Sequence, residues 1–105
     1  MKFLSFTTYN IDKLTEIVKA ADRLAANPPE GYKLLAMYAC QANPFPGIEF
    51  PQGTMITASI VECDNAEAMA AASLEMTFAG ATVNRIPVME VSSGEAEGTV
   101  EKLKL

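Results

Sequence analysis

Few side chains in this sequence could do chemistry. The ones singled out by type and position are Arg85, Tyr9, Tyr38, Cys40 and the hydroxyls of Ser5, Thr7, Thr57 and Ser59. An Arg can hold a carboxylate or phosphate through two parallel N–H bonds. The commoner role of such an Arg is an ion pair, here with Glu90 or a partner's carboxylate, or a head reaching water over a packed stem. Tyr9 and Tyr38 could orient or protonate a bound molecule; more often a buried Tyr packs with one satisfied hydrogen bond. The Ser and Thr hydroxyls could line a polar pocket, or pair with one another across strands. None has a His or Lys beside it that would make it a nucleophile.

The 105 residues contain no His. That excludes a Ser–His–Asp or Cys–His pair and any His-ligated zinc, copper or haem site. Acid–base chemistry would need a shifted Asp, Glu, Lys, Tyr or Cys. Thirteen acidic against eight basic residues leave a net charge of −5. Nucleic acid asks for a basic stripe, so neither it nor an anionic membrane surface is an expected partner. Cys40 and Cys63 form no CxxC and no metal framework. Glu62 and Asp64 lack the further clustered oxygen ligands of a cation site, so no metal and no cofactor is expected. No apolar run reaches the ~18 residues of a spanning helix, and Met1–Phe6 is too short for a signal peptide. The expected compartment is the cytoplasm.

These residues must be placed by a single domain of this length. Residues 2–9 read as a strand. Asn10 or Asp12 then caps a helix whose apolar face is Leu14, Ile17, Val18, Ala21, Leu24 and Ala25, at spacings of three and four. Asn27-Pro28-Pro29 and Gly31 end it. Strands are expected at 32–41 and 54–62, joined by a Pro-rich loop, 42–53, that displays Phe45, Ile48 and Phe50. Two readings of this loop are a lid over a cavity mouth or an arm on a partner subunit; the arm is favoured. Asp64 with Glu67 opens a second helix over 65–79 in capping-box fashion, closed by Gly80. Its Met69, Leu74, Met76 and Phe78 read as core or interface. A fourth strand spans 81–91. The domain is thus 1–91, with a tail over 92–105 that begins at Ser92-Ser93-Gly94 and has room for a short helix on Val100 and Leu103.

The order β-α-β-β-α-β is that of a ferredoxin-like α+β fold, with a four-stranded antiparallel sheet and two helices on one face. Pro87 fits an edge position for the fourth strand. In a β-hairpin of the second and third strands, partner numbers summing to about 95 put Leu35, Met37, Ala39, Ile56, Ala58 and Ile60 on one face. With Leu4, Phe6, Ile86 and Val88, this wholly apolar set is the expected helix-covered side. The other face would carry Phe3, Ser5, Thr7, Tyr9, Leu34, Ala36, Tyr38, Cys40, Met55, Thr57, Ser59, Val61, Arg85, Pro87 and Met89. It is too apolar for water, which predicts a homodimer, sheet face to sheet face. The same register holds Cys40 and Cys63 roughly 20 Å apart, too far for a disulfide.

The element order and the half-polar open face, with Ile60-Val61-Glu62-Cys63-Asp64-Asn65-Ala66-Glu67-Ala68-Met69 and Val83-Asn84-Arg85-Ile86-Pro87-Val88, resemble the dimeric α+β barrel superfamily, in particular a small single-domain branch of unknown function. The resemblance covers residues 1–91. It implies two subunits packed sheet to sheet around a cavity. Relatives include cofactor-independent monooxygenases and isomerases, haem binders and ligand-sensing domains. Many rely on a cavity His that this chain lacks, so no catalytic residue is carried across.

The function expected from these features is small-molecule binding in a cavity at the dimer interface, with Arg85, Tyr38, Tyr9, Thr7, Thr57 and Ser59 as ligand-binding candidates. The alternatives are a small cofactor-free enzyme acting on an apolar ring, or a purely structural assembly module.

Overall fold

A computed structural model of the chain describes residues 1–91, Gly94 and 96–103. The elements are β1 (Lys2–Asn10), α1 (Leu14–Ala26), β2 (Tyr32–Ala39), β3 (Thr54–Cys63), α2 (Ala66–Phe78), β4 (Thr82–Val88) and α3 (Ala96–Leu103), with a 3₁₀ turn at Ile11–Lys13 ahead of α1. Ser92 and Ser93, where the tail was expected to begin, lie outside the described residues, as does the Val100 side chain. The strands form one antiparallel sheet in the order β2-β3-β1-β4. This is the ferredoxin-like α+β fold. Pro87 sits on edge strand β4, where its missing N–H costs no ladder bond.

The 3₁₀ turn ahead of α1 and the helix α2 each start at a side chain that accepts from a free backbone N–H, whereas α1 itself has no side-chain cap. The Asn10 side chain accepts from the Asp12 N–H at 3.1 Å. At α2 the cap is Asn65, which accepts from the Ala68 N–H at 2.8 Å, and not Asp64 as the capping-box spacing suggested. Such a cap contributes about 1 kcal/mol. Gly80, at φ +109°, takes the left-handed position past the end of α2.

The sheet faces are the reverse of the sequence expectation. Directly paired residues share a face, and the β1–β3 pairs Phe3–Val61, Ser5–Ser59, Thr7–Thr57 and Tyr9–Met55 lie on the helix side. Two buried clusters fix this. Tyr9 packs with Ile17 and Ala20 of α1, Met76 of α2 and Ala81. Phe3, Val61 and Cys63 are closed over by Met69 of α2 and by Tyr32. Residue polarity could not decide the matter, because both faces carry large apolar side chains. Leu4, Phe6, Ile56, Ala58, Ile60, Ile86 and Val88 are therefore left on the outer face.

The β2–β3 register also differs. Pairing follows the expected sum through Leu34–Val61, then slips by one at a β-bulge at Leu35, so that Met37 pairs with Ser59 and Tyr38 with Ala58. Met37 and Ala39 thereby join the helix side, while Tyr38 turns outward. The 40–53 loop folds back over one end of the outer face. Phe45 meets Phe6 edge to face, with ring centroids 4.9 Å apart, and Phe50 lies 6.1 Å from Phe45. On α2, Met76 is buried and Met69 partly so, but Leu74 and Phe78 point into solvent.

Candidate functional site

α1 and α2 lie side by side and are clipped together by Arg23 and Glu75 at 2.8 Å. Near Tyr9, Ile17 and Ala20 α1 touches the sheet. Beside that contact a cleft of about 610 Å³ opens between α1 and strands β1, β3 and β2. Volumes of this order suit small ligands. Its helix wall is Ile17, Val18, Ala21 and Leu24, and its strand wall is Thr7, Thr57, Ser59, Leu34 and Met37. The mouth is apolar and open: Val18 is 48% exposed, although it belongs to the inward stripe of α1. Asp22 and Lys33 stand at the rim with opposite charges.

Arg85 marks the polar end. Its Nε donates to Ser73 Oγ of α2 at 2.9 Å, and its Nη1 to Ser5 Oγ at 3.3 Å. Its guanidinium carbon stands 5.8 Å from the Tyr32 ring centroid, a cation–π distance. Ser5 is 1% exposed and has no described partner besides Arg85. The expected pairing of Arg85 with Glu90 does not occur: Lys2 takes Glu90 instead, at 3.2 Å, because Arg85 points to the helix side of the sheet.

Burial pushes the Tyr32 hydroxyl above its ordinary value, against the pull of the Arg85 charge. Burial does the same to the Cys63 thiol. Both groups are therefore neutral at neutral pH. An acid whose folded pKa is raised favours the folded state fully below its unfolded pKa, and the contribution is lost as pH rises through the folded value. The relevant windows begin at about 9 for Cys63 and 10 for Tyr32. The midpoint of urea unfolding is expected to fall between about pH 8 and about pH 11, and Tyr32→Phe to reduce that fall. A fall of equal size in wild type and Tyr32→Phe contradicts this assignment.

Five of the six residues singled out in the sequence, Arg85, Tyr9, Thr7, Thr57 and Ser59, come together along the cleft. Tyr38 does not: the bulge sends it to the outer face, where it is 63% exposed. The sequence reading missed the contributions of α1, Tyr32 and Ser73. A signal for Ser73 was present, since it is four residues after Met69 and next to Ala72 on the inward side of α2. Cys40 and Cys63 are free thiols at opposite ends of the β2–β3 hairpin. Among the described residues there is no cluster of three or more His, Cys, Asp or Glu side chains placed to hold a metal ion, and no helix is long and apolar enough to cross a membrane.

No family model matches the chain, and no curated protein matches it in sequence. Solved structures do share its shape. An uncharacterised protein from Thermotoga maritima superposes with a TM-score of 0.58 at 10% identity, over 84% of this chain and 96% of that one. A protein of unknown function from Galdieria sulphuraria gives 0.47 at 10% identity, over 87% of this chain and 46% of that one. The periplasmic divalent cation tolerance protein CutA from Archaeoglobus fulgidus gives 0.46 at 13% identity, over 98% and 99%. The first likeness agrees with the fold read from the strand order; at these identities the comparisons carry the fold alone.

Proposed function

We propose that this chain is a small-molecule-binding protein that works as a homodimer. The ligand site is the cleft beneath α1, within one subunit, and the dimer forms through the opposite sheet face. The carrying observation is the composition of the cleft: an apolar mouth and body that lead to hydroxyls and a single guanidinium. The Thr7, Thr57 and Ser59 hydroxyls have no side-chain hydrogen bond to another described residue, so they are free to meet a ligand. Well-formed apolar pockets with a few convergent polar groups are the usual form of such sites. General-base catalysis is disfavoured because Tyr32 and Cys63 are pushed towards their protonated forms, whereas a general base is tuned towards neutrality.

The test is thermal unfolding of the 105-residue chain with octanol and octanoate as probes. A ligand at a hundredfold excess over its Kd adds about 2.7 kcal/mol of stability. A saturable rise in the unfolding midpoint with at least one probe is expected. No rise with either probe overturns the proposal.

A further inference from the structure

Arg85 is a half-buried cation whose polar partners are neutral hydroxyls, those of Ser73, Ser5 and Tyr32. No described carboxylate pairs with it; the ion pairs present are Lys2–Glu90 and Arg23–Glu75. A guanidinium has five N–H donors in a fixed fork, of which Ser73 and Ser5 take two. Removing a charge from water without a counter-charge is costly, so an anion that reached this point would be held strongly. Ser5 accepts from Arg85 and keeps its own O–H to donate. Ser59, its direct β3 partner, offers a second hydroxyl on the same face. The rest of the cleft would repel a small hydrated anion, because its path runs past Leu34, Ile17 and Leu24.

Building on the binding reading above, we infer that the ligand is an amphipathic carboxylate: its head lies against Arg85 and Ser5, and its hydrocarbon body lies along α1. A planar carboxylate matches the fork of the guanidinium. An apolar body matches the lining between that point and the mouth, where the rim charges of Asp22 and Lys33 offset one another.

Octanoate and octanol share a chain and differ at the head. Calorimetric titration of the wild-type chain is expected to give an affinity for octanoate about tenfold to hundredfold above that for octanol, the range of a hydrogen bond to a charged group. Arg85→Gln is expected to remove that preference and keep octanol binding. Because this variant could fail to fold, a second measurement uses the wild type alone. The Arg85 Nε–H resonance is expected to move on adding octanoate and stay in place with octanol. Equal affinities for the two probes overturn the carboxylate inference and leave the binding reading standing. A preference that survives in folded Arg85→Gln also overturns it. Binding of neither probe overturns the binding reading, and the inference with it.

Discussion

Ala58→Arg is expected to convert a homodimer into a folded monomer. Ala58 lies on a central strand of the outer face, with Phe6 of β1 and Tyr38 of β2 as direct partners. Around it are Leu4, Ile56, Ile60 and Ile86. Four strands of seven to ten residues, about 4.8 Å apart with a rise of about 3.3 Å per residue, give a face on the order of 500 Å², apolar over its middle. The largest apolar patch on a typical monomer is itself about 300–600 Å² and is often functional. Its edge is polar, as interface rims are: Lys2, Glu62 and Glu90 lie at one end, and Asn84, Thr8 and Thr82 towards the other. Both signs of charge occur at the first end, so a second copy can meet the face without repulsion. Phe45 of the loop packs on Phe6 and carries the apolar surface past one end of the sheet.

A two-fold axis brings the same residues of each copy near one another. An Arg at position 58 therefore buries an unpaired charge in both copies. Such a change costs about 2–5 kcal/mol, a rise of roughly 30-fold to several thousandfold in dimer Kd. In the isolated subunit the side chain simply reaches water, so the circular dichroism and cleft binding of the variant should match the wild type. Sedimentation at micromolar concentration should show twice the 11.3 kDa chain mass for wild type and the single mass for the variant. A wild type that sediments as a monomer contradicts the dimer.

The second large effect is at Ala21, on the cleft wall of α1. Ala21→Phe places a ring in the space assigned to the ligand body. Burial of a Phe side chain is worth about 1.5–3 kcal/mol relative to exposure, so the variant should be at least as stable as the wild type. Its octanoate affinity should nevertheless fall by roughly a hundredfold, because the ring and the probe's chain need the same volume. Stability and binding moving in opposite directions separate a binding cleft from loose packing. Unchanged affinity in a folded Ala21→Phe chain contradicts the assigned position of the ligand.

Much of the fold was legible because its signals are local. The spacing of Leu14, Ile17, Val18 and Ala21 marks α1, Gly80 marks the end of α2, and Pro87 marks an edge strand. Which side the helices cover was not legible. A strand shows two alternating sets, and here Phe3, Tyr9 and Val61 compete with Leu4, Phe6 and Ile60 on nearly equal terms. The more apolar set went outward, and the set with Ser5, Thr57 and Arg85 went under the helices. Arg85, Tyr9, Thr7, Thr57 and Ser59 stay together through that inversion, since residues that share a face do so whichever way it points. Tyr38 is lost because the bulge at Leu35 shifts the register by one, which moves every later side chain of β2 to the other face. No residue type at Leu34–Leu35 announces a bulge. The missing His keeps its force after the reversal: the polar end of the cleft holds one guanidinium and several hydroxyls, a set suited to holding an anion.

The most direct test of the account is a methyl-resonance titration of the isotope-labelled chain with octanoate. Adjacent strand positions report opposite faces of the sheet, so the two sides are read independently. The account predicts saturable shifts at the Ile17, Leu24 and Thr57 methyls of the cleft, with Leu4, Ile60 and Val88 of the outer face unmoved. Shifts confined to Leu4, Ile60 and Val88, or no saturable shift at any of these methyls, would contradict it.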